Sequence, residues 1–208
     1  MGSILFEIRD QIGCITLNRP EKFNSFNREM ALAMQAALDT CEEDPNIRAV
    51  YITGAGKAFC AGQDLGEVTG PEPVSFEKIL SEHYNPIIRK IRQLNKPVIC
   101  AVNGVAAGAG ANIALCCDIV VAKKSASFIQ AFSKIGLIPD SGGTFYLPRL
   151  IGFQKASALM MLGDKISAAE AERIGMLYTC FEDDSFEKES FTIAQTLSAM
   201  PTVGLALK

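Results

Sequence analysis

The tightest constraint on this chain is a recurring pattern: a short apolar, β-branched run ends in a loop of very small residues, and a helix follows. Val98–Val102 leads straight into Asn103-Gly-Val-Ala-Ala-Gly-Ala-Gly-Ala-Asn112, and residues 49–53 lead into Gly54-Ala-Gly-Lys-Ala-Phe-Cys-Ala-Gly-Gln63. Residues this small let a second backbone, or a ligand, approach closely.

The flanking pattern supplies the architecture. Residues 4–8 and 12–17 read as antiparallel strands joined at a turn flanked by Asp10 and Gly13, and Asn18-Arg19-Pro20 ends the second because proline cannot continue a ladder. Asn27 can cap a helix to about Glu43, with Met30, Met34, Ala37, Leu38 and Cys41 on one face, and Pro45 stops it. Further segments are a helix over residues 76–94 bent at Pro86, a short helix ending at Leu115 and a strand over residues 119–122. Strand, loop, helix, strand, turn, helix, strand is the order of an α/β domain with short parallel crossovers. Beyond Gln154 the pattern turns helical (155–162, 168–174, 186–200), with a possible short strand within 176–181, and no 20–50-residue repeat is evident.

Composition excludes several classes of function. The chain has 208 residues, 49% apolar and 21% charged, which are globular proportions. Such a length buries roughly 23,000 Å² on folding, enough for one sizeable core. A net charge of -3 argues against nucleic acid, which would require clustered Lys and Arg. No apolar run approaches membrane-spanning length, and Glu7, Arg9 and Asp10 interrupt any secretory leader at the N-terminus. The 7 Cys include no C-x-x-C pair, so neither a disulfide framework nor a zinc site is suggested, and a reducing cytoplasm is expected. With 1 His, multi-histidine metal sites are excluded, and any thiol or hydroxyl nucleophile would have to share His83.

Three stretches could carry chemistry. Ala61-Gly62-Gln63-Asp64 and the loop around Gly108-Ala109-Gly110 each end a strand, and backbone N–H groups converging from both would make an oxyanion hole. Taken singly, each is more simply explained by close packing of strand on helix. Phosphate-binding motifs fail, since Ile113 stands where a dinucleotide fingerprint needs glycine, and Tyr51 and Ala58 break a P-loop around Lys57. The third stretch is Ile138-Pro-Asp-Ser-Gly-Gly143. Asp140 there is in the first instance a turn or cap residue, but facing an apolar pocket it would gain a raised pKa and could accept a proton. His83, within Ser81-Glu-His-Tyr84, reads as part of a solvated helix face, and a Cys60–His83 thiol pair is the remote alternative.

Together these stretches resemble the enoyl-CoA hydratase/isomerase (crotonase) superfamily. The matching motifs run in order: Asn18-Arg-Pro20, Asn24-Ser25-Phe26, Ala58-Phe-Cys-Ala-Gly-Gln-Asp64, Lys96-Pro97, Asn103-Gly104, Gly108-Ala-Gly110, Cys117-Asp118-Ile119 and Gly136-Leu-Ile-Pro-Asp-Ser-Gly-Gly143. The resemblance covers essentially the whole chain. It implies an α/β fold, a crotonase-like spiral of ββα units with a helical C-terminal region. Residues 1–200 would be the acyl-CoA-binding core, and residues 201–208 the opening of a C-terminal region that is expected to be incomplete.

For the site, the resemblance implies that the N–H groups of Gln63 and Ala109 hold a thioester oxygen and that Asp140 is the acid/base. It also implies a CoA adenine end held near Lys22, Phe23, Ala61, Asp64 and Leu65, with Gly110, Asn112 and Phe132 as further substrate-binding positions. The two water-activating glutamates of hydratases match Asn112 and Phe132 here, which disfavours hydration. The expected activity is therefore acyl-CoA isomerisation, of a ring-1,2-epoxyphenylacetyl-CoA or, alternatively, of a 3-enoyl-CoA in fatty-acid oxidation. A hydratase-like protein and a non-catalytic scaffold are the remaining readings. No metal or separate cofactor is expected, CoA being part of the substrate. The expected assembly is a homotrimer or dimer of trimers in the cytoplasm, without nucleic acid or membrane.

Overall fold

The first six residues of regular structure form an edge strand, and everything after it is built inward from that edge. In the computed structural model, which describes residues 2–70 and 73–206, β1 (Ile4–Arg9) pairs antiparallel with β2 (Ile12–Leu17). Asp10 and Gln11 make the turn at φ 53° and 63°, the left-handed pair that a tight hairpin requires. α1 (Arg28–Glu43) starts where expected, the Asn27 side chain accepting from the Met30 N–H at 3.0 Å, and it buries Met30, Met34, Ala37, Leu38 and Cys41.

Three successive units follow, each sending one strand to each of two sheets. β3 (Ala49–Gly54) is followed by β4 (Ala58–Cys60), and the chain then passes through α2 (Gly66–Thr69), α3 (Phe76–Ile79) and α4 (Asn85–Gln93). β5 (Val98–Val102), β6 (Val105–Ala107) and α5 (Ala109–Leu115) form the second unit, and β7 (Ile119–Lys123) with β8 (Ser127–Ile129) opens the third. The remaining elements are α6 (Gly143–Ile151), α7 (Phe153–Leu162), β9 (Lys165–Ser167), α8 (Ala168–Arg173), β10 (Thr179–Phe181), α9 (Phe186–Ser198) and α10 (Thr202–Ala206). The first strands join β1 and β2 in a 6-stranded sheet ordered β1-β2-β3-β5-β7-β10, parallel apart from the β1–β2 edge. The second strands form a 4-stranded sheet ordered β4-β6-β8-β9, parallel from β4 to β8.

β4, β6 and β8 are three residues each, too short to show an alternation, and the small residues around them read as loop in the sequence. Both faces of the larger sheet are covered. Val50, Ile52, Cys100 and Val102 face the main core with α1 and α4, whereas Tyr51, Ile99, Ala101 and Val121 face Phe186, Phe191 and Ala194 of α9. That two-sided burial is why the central strands are continuously apolar. The loop at 70–73 and the last stretch, 201–208, fall partly outside the described residues, as do Pro71, Glu72, Leu207 and Lys208. Among the described residues no helix is long and apolar enough to cross a membrane.

The helix expected over residues 76–94 is present as a continuous helical run from Phe76 to Gln93, with a π turn inside it in place of a simple bend. Between α3 and α4 lies a π turn, Leu80–Tyr84, in which the Asn85 N–H donates to Leu80 O. Pro86 has no N–H to offer Glu82 O, and the Gln35 side chain supplies it instead, donating to Glu82 O at 2.8 Å and His83 O at 3.3 Å. His83, expected on a solvated face, is buried at 1% exposure, on the same face as Ile79 and Ile87 four residues either side, with neither ring nitrogen partnered among the described residues. Burial lowers its pKa, keeping the ring neutral.

Before α1, the chain turns on Phe23 and Asn24, both left-handed at φ 49° and 55°. Fully buried Asn24 ties three segments together, accepting from Arg19 N–H at 2.8 Å and donating to Ala55 O at 2.9 Å and Ala58 O at 2.8 Å. Asn24→Ala would leave these groups unpaired and place alanine at positive φ, a loss of about 2–4 kcal/mol. Thermal denaturation should show a midpoint lower by roughly 5–15 °C; an unchanged midpoint would show that water replaces the amide without cost.

Candidate active site

The ends of β4, β6 and β8 lie side by side because the three strands run parallel in one sheet, so the loops that leave them meet on one side. β4 runs into Ala61-Gly62-Gln63, β6 into Gly108-Ala109, and β8 into Gln130 and the 3-10 turn Ala131–Ile135. Between them lies a cavity of about 200 Å³. It is lined by Ala61, Gly62, Gln63, Leu65, Phe76, Gly108, Ala109, Ala131, Phe132, Ile135, Leu137 and Asp140.

Gln63 and Ala109, the two residues singled out for their backbone N–H groups, are both on this wall. Phe26 pairs with the strand end across from it: the Phe26 N–H donates to Gly62 O at 2.7 Å and the Asp64 N–H to Phe26 O at 2.8 Å. In this parallel pairing the Gln63 N–H points to the opposite side, and it donates to no other described residue. Ala109 is the first residue of α5, whose first-turn N–H groups have no partner within the helix, and its N–H is likewise free among the described residues. The two strand ends come close because Gly62 lies at φ 92° with no side chain: a Cβ there would stand 3.0 Å from Ala107 O and 3.5 Å from the Ala109 nitrogen.

Asp140 faces the same cavity from the loop before α6. Its backbone is held twice, its carbonyl accepting from Gly143 N–H at 2.8 Å and from the Asn112 side chain at 2.9 Å. Ser141 and Gly142 are left-handed, at φ 51° and 75°, and they turn the chain back into α6. Asp140 caps nothing with its side chain. Its carboxylate receives the Ser141 hydroxyl at 2.8 Å, and apolar surroundings push its pKa up to about 6, the hydroxyl offsetting that only in part. It is the one titratable side chain among the described residues lining the cavity.

The other expected residues divide into four groups. Ala61, Leu65 and Phe132 line the cavity, the first two exposed at its mouth. Lys22 and Phe23 are exposed on the turn whose Phe23 O accepts the Ala61 N–H at 2.9 Å, beside that mouth but off the cavity wall. Asp64 is engaged with Arg19 at 2.8 Å and with the Gly66 N–H at 3.0 Å; these partners keep its pKa below the usual carboxylate range despite partial burial. Gly110 and Asn112 stand behind the wall. A Cβ on Gly110 would lie 2.5 Å from Cys60 O, so that glycine serves close packing. Asn112 is fully buried, with its oxygen accepting from Gln130 at 2.8 Å while its nitrogen holds the Asp140 loop.

Cys60 is buried, its pKa pushed up to about 12, and its sulfur accepts from the Gly62 N–H at 3.4 Å. It therefore stays a thiol and shares no hydrogen bond with His83. All seven cysteines are free. Residues that sequence reasoning missed are Tyr84, whose O–H donates to Gln63 Oε1 at 3.0 Å, and Glu67, which accepts from Gln63 Nε2 at 2.8 Å. Helical spacing does place Tyr84 on the apolar face, four residues from Leu80 and from Ile88, but spacing marks it only as a core residue and not as a partner of Gln63.

Comparison with known proteins agrees with this architecture. The family model for enoyl-CoA hydratase/isomerase matches residues 7–208. The chain is 46% identical over 211 residues to 1,2-epoxyphenylacetyl-CoA isomerase of Escherichia coli, covering 100% of this chain and 80% of that protein. It is 36% identical over 188 residues to trans-2-decenoyl-[acyl-carrier-protein] isomerase of Streptococcus mutans, covering 89% of this chain and 72% of that protein. Among solved structures, an enoyl-CoA hydratase from Mycobacterium smegmatis superposes with a TM-score of 0.92 at 30% identity, covering 99% of this chain and 80% of that one. An enoyl-CoA hydratase/isomerase from Pseudoalteromonas atlantica gives 0.90 at 33% identity, covering 99% and 80%. With a family match across nearly its full length and the spiral of two sheets that those structures share, this chain belongs to the enoyl-CoA hydratase/isomerase family.

Proposed function

We propose that this chain is an acyl-CoA isomerase in which the Gln63 and Ala109 N–H groups hold the thioester oxygen and Asp140 moves the proton. One observation carries the reading: two unpaired backbone donors and a single carboxyl of raised pKa share one apolar cavity. Donors aimed at a carbonyl oxygen stabilise the negative charge that develops there, each contributing about 2.7–4 kcal/mol in comparable sites. For a 3-enoyl-CoA, Asp140 would take a proton from C2, the enolate oxygen would rest on the two N–H groups, and the proton would return at C4. No water is consumed, so one carboxyl group suffices.

Hydration would need a second polar group to hold and activate water. Both positions that could supply one are unsuited: Phe132 offers only a ring, and Asn112 spends both ends of its amide on Gln130 and the Asp140 loop. Identity to the Escherichia coli epoxyphenylacetyl-CoA isomerase supports a ring-1,2-epoxyphenylacetyl-CoA as substrate, converted to its oxepin. The Phe76, Phe132 and Leu137 side chains suit an aromatic acyl group. The second reading is a linear 3-enoyl-CoA, supported by the resemblance to an isomerase of a decenoyl chain. CoA enters as part of the substrate and no other cofactor is assigned a step. A cytoplasmic trimer or dimer of trimers remains our expectation.

Two measurements test the assignment. Asp140→Asn should lower kcat/KM at least about 100-fold on whichever acyl-CoA is turned over, while acyl-CoA binding persists. The wild-type kcat/KM should rise with pH through about 6 as Asp140 ionises. Wild-type turnover by Asp140→Asn would remove Asp140 from the reaction, and relative rates on the epoxide and the linear substrate would decide between the two acyl classes.

The same raised pKa has a stability consequence. Below the ordinary carboxylate value, folded and unfolded chains both hold the proton. Between there and about 6 the folded chain holds it more tightly, so stability falls as pH rises through that window and the penalty is constant above it. Asp140→Asn should therefore melt higher than wild type at pH 7, with the difference vanishing near pH 4; a difference independent of pH would mean that the carboxyl ionises without cost.

A further inference from the structure

The side chain of Gln63 is restrained at both ends of its amide. Oε1 accepts the Tyr84 hydroxyl at 3.0 Å, while Nε2 donates to Glu67 Oε2 at 2.8 Å and to Asp64 O at 3.3 Å. A donor meets the oxygen and acceptors meet the nitrogen, so the amide has one orientation. Glu67 is held in turn, its other oxygen accepting the Arg28 N–H at 2.7 Å.

Tyr84 grips the same strand end a second way. It is fully buried, and its ring lies tilted against Phe26, centroids 5.9 Å apart at 59°. Phe26 is the residue whose backbone brackets Gln63 through the bonds to Gly62 and Asp64. The ring therefore packs on the partner of the Gln63 peptide, and the hydroxyl bonds the Gln63 side chain. Tyr84 closes the π turn at Leu80–Tyr84 just before α4, on the helix face that Leu80, Ile87 and Ile88 also turn toward the core.

We infer that Tyr84 and Glu67 are positioning residues that lock Gln63 so that its backbone N–H stays directed at the substrate carbonyl. The inference rests on the oxyanion role proposed above for Gln63 and extends it to the groups that fix its direction. Donors of this kind work only when held in place before charge develops, and displacement of a reacting geometry by about 1 Å can cost on the order of 100-fold in rate. Loss of the clamp should therefore slow turnover more than it weakens binding, since the ground-state carbonyl demands less of the donor than the enolate does.

The test uses Tyr84→Phe, which keeps the ring on Phe26 and removes only the hydroxyl. Gln63→Leu removes the same bond from the other side, together with those to Glu67 and Asp64, and retains the backbone N–H. Kinetics on the acyl-CoA that the wild type turns over should show kcat reduced about 10–100-fold in Tyr84→Phe, with KM within about threefold. The double variant should be no slower than Gln63→Leu alone, because Gln63→Leu already removes the one bond that Tyr84→Phe breaks. The infrared carbonyl stretch of a bound acyl-CoA thioester, lowered by the wild-type protein, should move back toward its value in water in Tyr84→Phe.

Wild-type kcat and an unshifted carbonyl stretch in Tyr84→Phe would overturn the inference, as would multiplicative effects in the double variant. If Tyr84→Phe fails to fold, the carbonyl stretch in Gln63→Leu decides the question: a return toward the value in water supports the clamp, and a wild-type stretch overturns it. Failure of the wild-type protein to lower the stretch of any bound thioester would instead overturn the oxyanion reading itself.

Discussion

The close approach of the first two second-sheet strands is the contact on which the site depends. Gly104 makes it possible before β6: a Cβ there would lie 2.2 Å from Lys57 O, a distance no side chain can occupy. Gly110 does the same after β6, where a Cβ would meet Cys60 O at 2.5 Å. Between these two glycines β6 pairs with β4, Ala58 opposite Val105 and Cys60 opposite Ala106, with a bulge between the two pairs. Gln63 and Ala109, 46 residues apart in the chain by their numbering, then open on one cavity. The small-residue loops exist because the backbones need the space, and the unpaired N–H groups are what that packing leaves at the end.

The carboxyl in that cavity illustrates the opposition between folding and chemistry. An aspartate in apolar surroundings destabilises the fold when ionised, yet the same surroundings bring its pKa close to the range in which a proton can be both taken and returned. The structure meets the cost by spending polar contacts on the backbone rather than on the carboxylate. Asn112 and the Gly143 N–H fix the Asp140 carbonyl, and only the Ser141 hydroxyl touches the side chain. A guanidinium or ammonium in that place would have lowered the pKa and ended its use as a base.

Arg19 and Asp64 show the contrasting arrangement beside the mouth. Their ion pair at 2.8 Å is joined by the bond from Arg19 to Ser25 O at 2.5 Å, which secures the turn through Phe23 and Asn24 against the strand end. Charge is thus paired where it holds the scaffold and left unpaired where it faces the cavity. Isolated pairs at a surface contribute little, but this one is only partly exposed and ties two loops that border the site.

Much of this was legible in the residues. The Asn27 cap, the apolar stripe of α1, the buried β3, β5 and β7 and the order of the motifs all follow from spacing and local chemistry, which act within a few residues. The three-residue strands β4, β6 and β8 left no periodic signal, and their pairing emerged only when separate units met in space. His83 and Tyr84 sit at helical spacing from Ile79, Leu80, Ile87 and Ile88, but the polar Ser81 and Glu82 beside them read as a solvated face and hid their burial. Asp140 was readable as a turn residue, whereas the apolar cavity it faces is lined by Phe76 and Phe132 from other segments as well as by its neighbour Leu137. Sequence alone thus determined which backbone segments could approach closely, because glycine and alanine carry that permission locally. Tertiary structure alone decided which of them meet, which N–H groups stay unpaired and how far one carboxyl's pKa rises, because desolvation and hydrogen-bond direction depend on neighbours far away in the chain.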